Sequence, residues 1–169
     1  PVARGLQTMG QEVQSAVECP CVSRGAAPHG CLVEEVAATL DLGADGGPRW
    51  RNDVPPGLLV DADPEQLYRV LLNLMRNAVE AMAGRGELSV LAVAEQGRIA
   101  VEVADTGPGL PDKVRTHLFE PFRGSRSGGT GLGLTIALEL VRAHGGDLRL
   151  LRSDGKGTTF RLELPDRTA

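Results

Sequence analysis

The sequence has few aromatic residues, no long apolar run and no excess of positive charge. Phe, Trp and Tyr make up 3% of its 169 residues, so a core has to be built mainly from Leu, Val and Ala. No apolar run approaches the roughly 18 residues that cross a bilayer, and no signal-peptide pattern is present. A net charge of −4 gives no basic footprint. We therefore expect no membrane insertion by this segment and no nucleic-acid partner.

Cysteine is also scarce, and the three residues Cys19, Cys21 and Cys31 all lie in the first third of the chain. An odd number favours reduced thiols and hence a cytoplasmic location. A metal site completed by His29 is the alternative, but the spacing matches no common zinc pattern. Because the chain opens at Pro1 rather than Met, we expect it to be a piece of a longer protein.

What is present is typical of a soluble globular domain, with 41% hydrophobic and 24% charged residues. Apolar periodicity and turn residues predict helices alternating with strands. The strongest helix has Asp63 as its N-cap, Pro64 in its first turn and Gly84 at its end. The other predicted elements are helices over 4–18, 31–40, 112–119 and 132–144, strands over 48–54 and 58–62, a hairpin around Gln96–Gly97, and a closing hairpin over 147–165.

Helices interleaved with antiparallel hairpins predict an α/β fold. We expect a two-layer α/β sandwich, in which a mixed, mostly antiparallel sheet is covered on one face by helices. Residues 1–30 are expected to be a partial helix and linker, and residues 31–169 a single domain.

Two asparagines stand out on the strongest helix. Asn73 and Asn77 are four residues apart, so both amides project from one face. Asparagine is unfavourable inside helices, because its side chain competes for backbone hydrogen bonds. A solvated polar edge is one interpretation. The other is coordination of a hard cation such as Mg²⁺, to which an amide oxygen adds no charge.

A predicted strand delivers Asp105 at its end, directly before Gly107 and Gly109. Such an aspartate often only caps a turn. The alternative is a buried carboxylate that accepts a hydrogen bond from a purine amino group, with the glycines letting the backbone approach the ring.

A glycine-rich run over 128–133 leads directly into an apolar helix. The free N–H groups at a helix start favour an anion, and Thr130, Arg123 and Arg126 add a hydroxyl and two cations. The run is neither a P-loop nor a dinucleotide fingerprint. For this run, a mobile linker is the alternative interpretation. A further stretch, "GKGTTF" at 155–160, is by itself typical of an ordinary turn.

In this order, the stretches resemble the ATP-binding catalytic domain of bacterial sensor histidine kinases, a Bergerat-fold family. "LLNLMRNAVEAM" is similar to its asparagine box, "DTGPGL" and "GGTGLGL" to its glycine boxes, and "LFEPF" to its phenylalanine box. "GKGTTF" matches the family pattern G-x-G-T-x-F. "NAVEAM" with "FEPF" is closest to the nitrogen-regulation-like branch. The likeness covers roughly residues 31–164.

The resemblance implies a role for each matching position. Asn77 would ligate Mg²⁺, with Asn73 supporting metal and phosphates, and Asp105 would bind the adenine amino group, with Thr158 reaching the same edge through water. A lid would fold over the triphosphate, its stem anchored by Phe119 and Phe122. The expected ATP-binding set is Asn73, Asn77, Asp105, Gly107, Gly109, Arg123, Arg126, Gly129, Thr130, Gly131, Leu132, Gly133 and Thr158, with Asn73 and Asn77 as catalytic residues.

The resemblance also implies a phosphoacceptor histidine on a dimeric helical hairpin. The three histidines, His29, His117 and His144, lack the expected context, so we expect the acceptor to lie outside this chain. The resemblance makes residues 1–30, with the helix over 4–18, the expected end of that hairpin, and residues 31–169 the ATP-binding catalytic domain. The implied partners are that hairpin and the receiver domain of a response regulator. The isolated fragment is expected to be monomeric, and its parent, a bacterial protein, can be membrane-anchored.

Three other functions remain open. ATP hydrolases of the same superfamily carry a glutamate where this chain has Asn73, and an amide cannot act as general base, although Glu80 could substitute. A serine kinase that controls a sigma factor shares the fold. A non-catalytic descendant could use the fold as a nucleotide-binding or phosphotransfer scaffold.

Overall fold

A computed structural model of the chain describes residues 29–122 and 131–166. In chain order the elements are α1 (His29–Thr39), β1 (Arg49–Asp53), α2 (Pro64–Met82), β2 (Glu87–Glu95), β3 (Arg98–Asp105), α3 (Asp112–Arg115), α4 (Gly133–Ala143), β4 (Asp147–Asp154) and β5 (Gly157–Pro165). Among the helices of these two ranges, none is long and apolar enough to cross a bilayer.

The five strands form one sheet in the order β1-β2-β3-β5-β4. β1 runs parallel to β2, whereas the other neighbours are antiparallel. Alternate strand residues point into the core, where they meet α1, α2 and α4; Leu88, Val90, Ile99 and Leu162 are fully buried there. The predicted mixed sheet with helices on one face is confirmed.

Helix α2 is the central element of the helical layer, with Leu71, Leu74 and Met75 fully buried against the sheet. Its start is as predicted, because the Asp63 side chain accepts a hydrogen bond from the Gln66 N–H at 3.0 Å. The left-handed residue that ends the helix is Ala83, one position before the predicted Gly84.

His144 joins the end of α4 to the start of α2. Its Nδ1 lies 2.8 Å from the Leu140 carbonyl oxygen, and its Nε2 accepts the Asp63 N–H at 3.2 Å. Because one ring nitrogen must donate and the other accepts, the imidazole forms this link in its neutral state.

Three predictions for the first third of the chain meet different outcomes. The prediction of a strand over 58–62 is wrong, since only Leu59 of that segment forms a β-bridge. A turn at residues 55–58 and the helix start at Pro64 leave too few residues to pair. Cys31 is disulfide-bonded, so the reduced-thiol prediction is wrong for it, and a bonded sulfur is not a metal-ligating thiolate. The helix over 4–18, like Cys19 and Cys21, lies outside the described residues.

The β4–β5 hairpin interlocks with the loop that follows β3. A Cβ added to Gly109, which has a φ of +78°, would overlap the carbonyl oxygen of Asp154. A Cβ added to Gly157, with a φ of +145°, would overlap the carbonyl oxygen of Asp105. Only glycine permits both approaches, which hold the end of β3 against the hairpin.

We predict that Gly157→Ala destabilises the domain by about 2–4 kcal/mol, because the methyl group collides with backbone and the left-handed φ is strained. Gly155→Ala in the same turn is the matched control, since nothing lies within 4 Å of its added Cβ. That control should change the stability by less than about 0.5 kcal/mol. Urea unfolding followed by circular dichroism measures both, and equal stabilities would contradict the predicted interlock.

Candidate functional site

Asp105 lies at the end of β3, where its Cα pairs with that of Thr158 on β5. Both side chains are buried, with 6% and 3% of their residue surfaces exposed. The Asp105 Oδ1 accepts hydrogen bonds from the Gly107 N–H at 2.8 Å and the Thr158 N–H at 3.3 Å. No donor among the described residues reaches Oδ2. One carboxylate oxygen is thus used by the fold, and the other is available to a ligand.

Burial raises the pKa of the Asp105 carboxyl above its ordinary value. The hydrogen bonds from Gly107 and Thr158, and the positive charge of Arg152, lower it again by less than burial raises it. The ionised carboxylate is therefore held at a cost in free energy, which a further hydrogen-bond donor would reduce.

The loop after Asp105 is attached to the C-terminal end of α2. The Thr106 hydroxyl accepts the Glu87 N–H at 2.9 Å and lies 4.0 Å from the Met82 sulfur. A Cβ at Gly107 would lie 3.4 Å from Met82 Cγ and 3.5 Å from the Ala81 carbonyl carbon. Gly107 therefore lets the loop lie directly on the last turn of α2.

The two asparagines lie further along the same helix. Asn73 and Asn77 are both half-buried, and the Asn73 Oδ1 lies 3.3 Å from where a Cβ at Gly133 would stand. Asn73 therefore faces the first residue of α4. Asn77 is one helical turn, about 6 Å, from both Asn73 and Ala81. Since residues four apart share a helix face, Asn77 lies between the α4 start and the Asp105 loop.

No side chain of the described residues caps the start of α4, where the first N–H groups of a helix have no partner within the helix itself. It is held in place by the Thr135 hydroxyl, which donates to the Phe119 carbonyl oxygen at 3.0 Å. The Gly131 carbonyl oxygen accepts the Phe122 N–H at 3.3 Å. Phe119 packs against the core, but Phe122 is 76% exposed, so its side chain does not anchor this segment among the described residues.

We call the α2 site the group formed by Asn73, Asn77, Asp105, Thr158 and the α4 start. The predicted Gly107 and Gly109 lie in its Asp105 loop, and Gly131, Leu132 and Gly133 lead into α4. Four other predicted residues lie outside the described residues: Arg123, Arg126, Gly129 and Thr130. A separate open cavity of about 450 Å³ lies beside α3, where Lys113, Val114, Thr116 and His117 line it.

Two residues that shape this site are absent from the set of site residues expected from the sequence. Gly157 carries the close approach to Asp105, and the Ser153 hydroxyl accepts the Leu110 N–H at 2.7 Å. For Gly157 the G-x-G-T-x-F pattern was an available indication. A single serine in a strand carries no comparable indication.

Comparison with known proteins identifies the family. Residues 62–168 match the family model described as histidine kinase-, DNA gyrase B- and HSP90-like ATPase. The sensor protein FixL of Bradyrhizobium diazoefficiens is 42% identical over 139 residues, which cover 79% of this chain and 28% of FixL. The sensor histidine kinase ZraS of Escherichia coli K12 is 38% identical over 114 residues, covering 68% of this chain and 24% of ZraS.

Solved structures agree with this result. The catalytic domain of histidine kinase ThkA superimposes with a TM-score of 0.72 at 25% identity, covering 83% of this chain and 94% of that one. Full-length ShkA, solved in complex with AMPPNP, has a TM-score of 0.69 at 33% identity over 83% of this chain and 31% of its own. This chain spans only about a quarter of the curated relatives' length. It belongs to the histidine kinase-, DNA gyrase B- and HSP90-like ATPase family, and it is similar to the catalytic domains of histidine kinases.

Proposed function

We propose that the α2 site binds Mg²⁺-ATP and presents its γ-phosphate to a histidine on a helical hairpin outside this chain. The observation that carries the proposal is the Asp105 carboxylate, buried with one oxygen bonded to the fold and the other without a donor among the described residues. A buried charged acceptor of this kind calls for a donor from a ligand, and the amino group of adenine is such a donor.

The base lies at the Asp105 end of the site. Asp105 Oδ2 accepts from the adenine amino group, while the Thr158 hydroxyl reaches the same edge through a water molecule. Gly107 and Gly109 let the Asp105 loop pack closely against α2 and the β4–β5 hairpin, which shapes this end of the site. The fixed backbone hydrogen bonds to Oδ1 hold the carboxylate in one orientation, so little rearrangement is needed on binding.

The phosphates lie toward the α4 start, where free backbone N–H groups favour negative charge. Among the described residues no group of three acidic, histidine or cysteine side chains could hold a metal ion. An amide ligand on Asn77, with the remaining positions filled by phosphate oxygens and water, fits the way Mg²⁺ binds beside nucleotides. The ion would neutralise phosphate charge, and Asn73 would orient the phosphates from one turn away.

The acceptor is assigned to a separate hairpin because His117 and His144 are engaged within the fold. Both ring nitrogens of His144 form hydrogen bonds within the fold, and Nδ1 of His117 lies 2.7 Å from a Glu120 carboxylate oxygen. Phosphoryl transfer depends mainly on positioning and charge neutralisation, so the site needs few catalytic side chains. The phosphohistidine would then donate to an aspartate in the receiver domain of a response regulator.

Asp105→Asn tests base recognition. The amide oxygen can still accept the Gly107 and Thr158 N–H groups, while its NH₂ group replaces Oδ2 and opposes the adenine amino group. We expect ATP affinity to fall about tenfold to hundredfold, because a charge-assisted hydrogen bond becomes a donor–donor contact. Inosine triphosphate, whose 6-oxo group accepts, should lose less affinity. Calorimetric titration measures both, with the exposed Asp112→Asn as control; unchanged ATP affinity would contradict the role of Asp105.

The same variant tests the cost of the buried charge without nucleotide. Because the pKa of Asp105 is raised in the folded chain, the folded domain binds this proton more tightly than the unfolded chain does. The stability that Asp105 contributes is therefore present at low pH and is lost as pH rises through the raised pKa. Asp105→Asn should be more stable than wild type near neutral pH, with the difference shrinking on acidification. A wild-type advantage at neutral pH in urea unfolding would contradict this assignment.

Phosphoryl transfer is tested with γ-labelled ATP and a separately produced helical hairpin that carries an acceptor histidine. We expect label on the hairpin that is lost in acid, as phosphohistidine is, and little ATP hydrolysis, since Asn73 offers no general base. A hairpin with His→Gln at the acceptor is the control. Acid-stable label would favour a serine kinase, rapid hydrolysis an ATPase, and nucleotide binding without transfer a scaffold.

A further inference from the structure

Three side chains form a row across the sheet at the base end of the α2 site. Asp105 of β3 pairs with Thr158 of β5, and Thr158 pairs with Ser153 of β4. Residues paired across neighbouring strands point to the same face, so all three lie side by side. Asp105 and Thr158 belong to the proposed base site, whereas nothing above assigns a function in it to Ser153.

The Ser153 hydroxyl connects this row to the loop of Asp105. Its Oγ accepts the Leu110 N–H at 2.7 Å and lies 3.3 Å from the Thr158 Oγ1. Accepting a backbone N–H polarises the serine O–H and makes it a better donor. The favoured direction is therefore a chain in which Leu110 donates to Ser153 and Ser153 donates to Thr158. The hydroxyl proton of Thr158 is then free to be donated to a ligand in the α2 site.

We propose that Ser153 is a positioning residue for base selection, which sets the Thr158 hydroxyl as a donor toward N1 of the purine. This inference rests on the proposed binding of ATP at the α2 site. N1 of adenine is an acceptor, whereas N1 of guanine and inosine carries a proton. When the Thr158 hydroxyl donates to the bridging water, both protons of that water remain free, and donation of one of them to N1 favours adenine at a second position beside the amino group read by Asp105.

The test compares ATP with 1-deaza-ATP, which keeps the amino group but lacks the N1 acceptor. Wild type should bind 1-deaza-ATP about threefold to tenfold more weakly than ATP, the range expected for one neutral hydrogen bond. Ser153→Ala should bring this ratio close to one, because the Thr158 hydroxyl is no longer set as a donor. Ser153→Thr keeps the hydroxyl and should restore the ratio.

A purely structural role of Ser153 would weaken both nucleotides equally and leave the ratio at its wild-type value, which would overturn the inference. Ser89→Ala on β2 is the matched serine control, and thermal unfolding of each variant checks the fold. If Ser153→Ala fails to fold, the comparison of wild type with Thr158→Val decides instead: an unchanged ratio overturns the inference. If wild type binds neither ATP nor 1-deaza-ATP, the proposed ATP binding itself is contradicted. That result differs from an unchanged affinity ratio, which contradicts only the role of Ser153.

Discussion

The buried carboxylate of Asp105 is the group on which the rest of the site depends. Its Oδ1 is held by two backbone N–H groups, one from the following loop and one from the neighbouring strand. These bonds offset part of the cost of burying a charge and fix the direction of Oδ2. The fold thereby keeps a strong acceptor in place before any ligand arrives. The pKa of Asp105 stays raised because these hydrogen bonds do not offset the whole free-energy cost of burying the charge.

Helix α2 sets the distance between the two ends of the site. The loop of Asp105 lies on its last turn, and the start of α4 lies beside Asn73. Asn73, Asn77 and Ala81 follow at intervals of four residues, about 6 Å each along a rigid helix. The separation between the Asp105 loop and the α4 start is therefore fixed by helix geometry, while the buried Leu71, Leu74 and Met75 fix the helix against the sheet.

Much of the fold followed from local rules in the sequence. The N-cap at Asp63, the turn at Gln96–Gly97 and the apolar stripe of α2 each have a short-range cause, and the structure contains all three. The strand over 58–62 did not form, because the turn at residues 55–58 and the helix start at Pro64 leave too few residues to pair. The neighbours of Asp105 in the site were indicated by motif order, but the backbone approaches at Gly109 and Gly157 emerge only from tertiary packing. Ser153 was missed for the same reason, since its partners lie on two other segments.

The cross-sheet row of Asp105, Thr158 and Ser153 has a consequence for biosynthesis. Asp105 lies about fifty positions before Ser153 and Thr158, and the row is complete only when β5 lies between β3 and β4. During translation, a nascent chain that has emerged only as far as β3 can pair Asp105 with Leu88 of β2, but it lacks the Thr158 N–H that holds the Asp105 Oδ1. Under the proposed function, nucleotide binding at this row would therefore have to await emergence of β5 from the ribosome.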